Sequence, residues 1–151
     1  MKHYLATTAI SEIWDYENDL LLLGPWCLIG KNNKQIKKDY SLIPSPWKPA
    51  IKIKEAADYC YEVYQDIIPK ITKEMNNLNN TAYPIRYWDI LLGPWLLHFI
   101  GIIYDRYVRM NTAIRLFPDL YTHALPQEQC DISSRETLDC FRVKVVDDSY
   151  T

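Results

Sequence analysis

Glycine is scarce in this 151-residue chain. Four glycines occur, and none is arranged as GxGxxG or as a P-loop, which excludes the sequence motifs that cradle phosphate on glycine-rich backbone. Histidine is scarcer: His3, His98 and His123 lie far apart and form no local zinc motif. Cys27, Cys60, Cys130 and Cys140 make no CxxC pair and no spacing that suggests a metal site. Charge of one sign is also missing. The formal net charge is -2, so there is no electrostatic case for nucleic acid as a partner. Met1 to Ala9 carries a lysine but no long apolar core of a secretory signal. The expectation is a cytoplasmic protein with reduced thiols. Long apolar runs are absent too. The run Ile90–Tyr104, interrupted by His98 and bracketed by Arg86, Asp89, Asp105 and Arg106, is shorter than the roughly 20 residues a bilayer span needs. It reads as a buried core helix, with docking on a membrane surface or a partner as the alternative.

What is present in quantity is apolar and aromatic. Hydrophobic residues make up 48%, enough for a core in a chain the size of one ordinary domain. Five Trp, twelve Tyr and three Phe suit a ring-stacking ligand such as a sugar or a base, and equally suit a core or a subunit interface. One five-residue word occurs twice, as Leu22-Leu23-Gly24-Pro25-Trp26 and Leu91-Leu92-Gly93-Pro94-Trp95. Proline fixes its own φ and pushes the residue before it toward extended backbone, where glycine has the widest range. Each copy therefore reads as a rigid change of chain direction with a tryptophan held just after it. Such a corner ends one element and starts the next, and it can also wall a pocket.

Along the chain, His3–Ala9 reads as a first strand running into a polar turn. Asp19–Leu23 is continuously apolar after its aspartate, as in a strand of a parallel sheet covered on both faces, although the leucines would also suit a helix. Lys31–Tyr40 reads as a solvated loop or short exposed helix. Pro44, Pro46 and Pro49 around Trp47 exclude regular structure there. From Ile53 to Leu78 apolar residues recur at helical spacing, with Pro69 expected to kink or split the helix. The asparagines of 76–81 should end it. A second helical stretch begins near Pro84 or Ile85. Either one long helix is kinked at Pro94 or a short helix ends at Gly93. Gly-Pro is a poor helix interior, so the break is the preferred reading, with Pro94 starting a new helix that ends by Phe117-Pro118. Asp105, four residues before Arg109, stands in the favourable order for a surface ion pair. Leu120–Leu125 and Leu138–Val146 are further strand candidates.

Several residues could carry chemistry. Arg86-Tyr87-Trp88-Asp89 is the densest polar-aromatic cluster. Its arginine beside aromatic rings suits a phosphate, a carboxylate or a sugar, whereas a structural Arg86–Asp89 pair at a helix start is the plainer reading. His98 lies in an apolar run and reads as a core histidine. Asp105-Arg106 follows on the same helix, with Arg106 a candidate for binding an anion. Gly24, Pro25 and Trp26 follow the expected buried strand, and in open α/β sheets ligands bind beyond the carboxyl ends of strands.

The chain resembles the amino-terminal part of a transferase family encoded in bacterial O-antigen and surface-carbohydrate clusters. The resemblance rests on Tyr4-Leu5-Ala6-Thr7-Thr8-Ala9, Leu22 to Cys27, the string Arg86-Tyr87-Trp88-Asp89-Ile90-Leu91-Leu92-Gly93-Pro94-Trp95-Leu96-Leu97, then Tyr104-Asp105-Arg106, and Asp147-Asp148-Ser149-Tyr150. Where such proteins often have a His-Trp pair, this chain has Pro46-Trp47-Lys48-Pro49, and no histidine role carries over. The resemblance implies an α/β, helix-rich, Rossmann-like half-domain of a two-domain, glycosyltransferase-like architecture. Residues 1–151 would be a single amino-terminal, acceptor-side or scaffold domain, with the donor-binding domain outside them. It further implies a nucleotide-sugar or glycan substrate in surface-polysaccharide (lipopolysaccharide) assembly, at the cytoplasmic face of the membrane. Substrate-binding positions are then Gly24, Pro25, Trp26, Arg86, Trp88, Asp105 and Arg106. No cofactor, metal or nucleic acid is expected. Peripheral membrane association and a homo-oligomer are both compatible with it. The competing classes are a non-catalytic interaction module and an inactive remnant.

Overall fold

The computed structural model describes residues 2–29, 36 and 39–124. Their element order is β1 (His3–Ala6), a 3-10 turn (Ser11–Ile13), β2 (Asp19–Leu22), a second 3-10 turn (Pro25–Leu28), β3 (Tyr40–Leu42), α1 (Ala50–Asn79), α2 (Ile85–Leu116) and β4 (Leu120–Tyr121). Two compact units result: residues 1–45 with 109–151, and residues 46–108. The strand candidate at 138–146 and the closing Asp147–Tyr150 lie outside the described residues, as does most of the Lys31–Tyr40 stretch.

The first unit is built on a parallel sheet in the order β3-β2-β1-β4. β1 pairs β2 with His3 opposite Asp19 and Leu5 opposite Leu21, while β4 pairs the other edge of β1. Strand period sends alternate side chains to opposite faces. Tyr4, Ala6, Leu20 and Leu22 bury one face together with Trp14 and Cys27. Leu5, Leu21 and Leu23 bury the other against Ile43 and Ala113, with Met110 and Phe117 beside them. Both faces are covered, one by the 3-10 segments and one by the last turns of α2. Two buried faces are the physical reason why Asp19–Leu23 shows no alternation of polarity. Fully burying each such leucine contributes about 1.5–3 kcal/mol. β1 stops at Ala6 rather than Ala9, because Thr8 turns inward: its carbonyl accepts from the Trp14 indole at 3.1 Å and its hydroxyl accepts from the Ile10 N–H at 3.2 Å.

The second unit is a hairpin of α1 with most of α2. The buried residues of α1 are Cys60, Tyr64, Ile68 and Thr72, one every four residues, which is a narrow seam on the helix surface. Tyr64 and Ile68 meet Leu96 of α2. The corner is organised by one side chain. Asn76 donates from Nδ2 to the Tyr83 carbonyl at 2.8 Å, and its Oδ1 accepts from Thr81 Oγ1, the Tyr83 N–H and Trp88 Nε1. Asn80 caps α1 in the left-handed region at φ 51, a conformation asparagine tolerates better than most residues. The asparagine-rich turn therefore arrives as expected, though α1 runs on to Asn79.

Two helical expectations need correction. α2 continues through Gly93 and Pro94 without a break. The clash that disfavours helical backbone before proline involves the preceding Cβ, and Gly93 has none. Flanking turns on both sides then hold the geometry, as they do around Pro69 in α1, which is likewise a single helix. The apolar run at 90–104 is also not a buried core helix. Leu96 is buried, but Ile90 is 70% exposed and Leu91 59%. One partner helix covers one stripe, and the remaining apolar positions face outward. By length and composition α2 could cross a bilayer, a test that core helices of soluble proteins also pass, so it assigns no location.

Candidate functional site

Each unit carries one candidate region. In the sheet unit it is the carboxyl edge. Gly24 leaves β2 in extended backbone (φ -167, ψ 177), and Pro25 opens the 3-10 turn at its first position, where a missing N–H costs nothing. The turn swings the Trp26 indole back over Gly24 so closely that a Cβ there would overlap the ring. Trp26 Nε1 donates to the Thr7 carbonyl at 2.9 Å, tying the exit of β2 to the exit of β1. The Arg109 guanidinium, only 8% exposed, lies 5.2 Å from the indole centroid, a cation–π distance. The first LLGPW word thus forms the corner it predicts, and Arg109 is buried rather than at the surface where the ion-pair reading put it.

Beside it, at the exits of β1 and β4, lies a second polar group. Thr122 Oγ1 donates to the Leu5 carbonyl at 2.7 Å. His123 Nδ1 is 3.1 Å from the Ile13 carbonyl, and the Tyr4 hydroxyl donates to the same oxygen at 3.1 Å. Tyr121 donates its hydroxyl to the Asp15 carboxylate, which also accepts from the Glu17 N–H and from Asn18 Nδ2. These donors, Tyr121 foremost, hold the Asp15 carboxyl down at about 2. The Tyr4 hydroxyl is pushed up by burial, and the Tyr121 hydroxyl by its bond to Asp15.

In the hairpin unit the candidate is a groove of about 790 Å³ between α1 and α2. Ile53, Ala56, Ala57, Cys60, Leu97 and Ile102 make its apolar walls; Trp47, His98, Asp105 and Arg106 supply polar groups. Asp105 accepts from the Trp47 indole N–H on one oxygen and from Arg106 at 3.2 Å on the other. The proline-rich connector therefore has a specific job in the groove, holding Asp105 through Trp47. Burial pushes the Cys60 thiol up, which disfavours the reactive thiolate. His98 is exposed rather than a core residue, with Nδ1 2.7 Å from the Pro94 carbonyl one turn back.

The expected site residues are divided between the two units. Gly24, Pro25 and Trp26 belong to the sheet unit. Asp105 and Arg106 touch each other in the groove. Arg86 and Trp88 sit at the start of α2, and Trp88, 4% exposed, spends its N–H on Asn76. Seventeen residues of helix separate Trp88 from Asp105, about 26 Å along the axis. Asp89 does not pair with Arg86 among the described residues. It accepts instead from the Tyr64 hydroxyl, which burial and then this bond push up to about 12. Sequence reasoning missed Arg109, Asn76 and His123. The first sat in an apparently exposed position of a helix, the second in a turn read for its composition alone. Of His123, isolation in the sequence was the only sign. No group of three or more His, Cys, Asp or Glu able to hold a metal occurs among the described residues.

No curated protein and no solved structure matches the chain. A family model does, and it covers residues 3–151 under the description LIC12162 family transferase. That span contains both LLGPW words, the sheet and the hairpin. The chain belongs to the LIC12162 family of transferases.

Proposed function

We propose that this transferase chain is the acceptor-side part of a glycosyltransferase-like enzyme that moves an activated sugar during bacterial surface-polysaccharide (O-antigen) assembly. The observation that carries the reading is the carboxyl edge of the parallel sheet, where the Trp26 indole is stacked with Arg109. An indole is a platform for a sugar face, and a guanidinium is the side chain best matched to a phosphate. The strand order β3-β2-β1-β4 is that of the first half of a doubly wound nucleotide-binding sheet, which supports a Rossmann-like half-domain. Arg106 in the groove is a second anion contact. The donor half would be supplied by a carboxy-terminal domain, and the work would take place at the cytoplasmic face of the membrane.

The test is saturation-transfer NMR with UDP-, GDP- and dTDP-sugars. A contact signal from one donor class, lost in Arg106→Ala with the circular dichroism unchanged, is the expected result. A folded chain that gives no signal with any of these donors and none with a glycan acceptor counts against the reading.

A second reading, a non-catalytic interaction module, is favoured by the outward apolar residues of α2, among them Ile90, Leu91, Ile103 and Tyr107. Under that reading the chain self-associates in sedimentation, and a polar residue in place of Trp95 or Tyr104 abolishes the association.

A further inference from the structure

We infer that His123 is the general base of the transfer reaction, taking the proton of the acceptor hydroxyl on Nε2; this rests on the sugar-transfer reading above. The topology locates it. In the order β3-β2-β1-β4, the chain steps outward from β1 to β3 and returns on the other side of β1 as β4. The crevice of such a sheet lies beyond the carboxyl ends of the strands where the order reverses, here β1 and β4. His123 stands two residues past the end of β4 and is exposed, and Thr122 fastens that exit to β1 through the Leu5 carbonyl.

The hydrogen bond fixes the chemistry of the ring. A carbonyl oxygen only accepts, so the Nδ1 facing Ile13 at 3.1 Å carries the proton in the neutral ring. Nε2 is then left with the lone pair. Tyr4 and Tyr121 flank the imidazole at centroid distances of 5.1 and 6.2 Å and limit its rotation. Among the described residues, the titratable groups around it are Tyr4 from β1, Tyr121 from β4 and, through Tyr121, Asp15; Glu12 adjoins Ile13 in the chain. A base oriented by a second group, at the sheet edge where substrates bind, is the arrangement general-base catalysis needs.

In the step, the acceptor oxygen attacks the anomeric carbon of the nucleotide sugar while its proton passes to Nε2. The bond from that carbon to the leaving phosphate oxygen breaks, and the nucleoside diphosphate departs with the electron pair. The imidazolium then gives its proton to water.

His123→Asn separates the two ring nitrogens, since the asparagine amide can still donate to the Ile13 carbonyl but brings no base. Nucleoside diphosphate release from the donor panel is measured against pH for both proteins. The expected outcome is an unchanged melting temperature and donor KM, kcat lower by about 100-fold or more, and loss of the acidic limb of the profile. An unchanged kcat with that limb retained overturns the assignment. If this chain turns over no donor, which the reading allows because it places the donor half in a carboxy-terminal domain, the assignment is decided by a second readout. The histidine is then read by diethyl pyrocarbonate with mass spectrometry: acylation of His123 on Nε2 sustains a basic nitrogen open to reactants, and an unreactive ring overturns it.

Discussion

Leu22–Trp26 and Leu91–Trp95 are the same five residues in two different backbones. In the sheet unit Gly24 is extended, Pro25 starts a 3-10 turn and Trp26 folds back over the glycine. In the hairpin unit Gly93 and Pro94 are interior positions of a 32-residue helix, and Trp95 stacks on Phe99 at 5.1 Å. Gly24 is required because an indole of its own word lies against it. Gly93 is required because Tyr64 from α1 approaches: a Cβ there would meet the Tyr64 hydroxyl at 2.6 Å and an Asp89 oxygen at 3.0 Å. The word supplies a glycine that accepts either conformation before proline. The elements on either side choose between them.

The largest test of this difference is Gly24→Ala. Its Cβ displaces an indole held by Thr7 and Arg109, and overpacking of this kind costs about 1–3 kcal/mol or more. Chemical denaturation should place this variant below every other single substitution described here. The prolines come next, with opposite signs. Pro94→Ala restores a helix donor and removes a ring clash, and should stabilise by roughly 1–3 kcal/mol. Pro25→Ala loses a pre-set φ at a first turn position, and should destabilise by about 0.5–1 kcal/mol. Equal signs at the two positions would mean that the words are not used differently.

A double-mutant cycle sharpens the Gly93 argument. Gly93→Ala alone should cost about 1 kcal/mol, because the Tyr64 hydroxyl must move. In a Tyr64→Phe background the nearer obstacle is gone and the Asp89 oxygen at 3.0 Å remains, so the same change should cost less, offset by up to about 1 kcal/mol of helix preference for alanine. Additivity in this cycle would remove the close approach as the reason for the glycine.

The smallest effects separate the units by pH. Each holds a tyrosine–carboxylate bond, Tyr121 to Asp15 and Tyr64 to Asp89. The Asp15 carboxyl is lowered from 3.8 to about 2, so its contribution is present above pH 4 and fades as pH falls toward 2. Tyr64 is raised from 10.0 to about 12, so its contribution is present below pH 10 and fades as pH rises toward 12. Thermal melts should show a shallower acid limb in Tyr121→Phe, whereas Tyr64→Phe should make the alkaline limb shallower.

The buried strand Asp19–Leu22, the helix limits near Ile85 and Leu116, the proline connector and the asparagine turn were legible in the sequence, because each depends on local preferences. A run apolar on both alternating positions needs two covered faces, three prolines within six residues forbid ladders and helices, and asparagine accepts a left-handed cap. The resemblance carried by the RYWDILLGPWLL string pointed to a transferase family, and the match over residues 3–151 bears that out. What only the tertiary structure decided is what each local word does. It made one Gly-Pro a corner and the other a helix, left an apolar helix face outward because a hairpin offers a single partner, gave Asp89 to Tyr64 instead of Arg86, and brought His123 to the Ile13 carbonyl across 110 residues of chain. Apart from the helix face, the physical reason is common to them. Glycine, histidine and carboxylates have several local states of nearly equal energy, so the contact that selects among them comes from a segment far away in sequence.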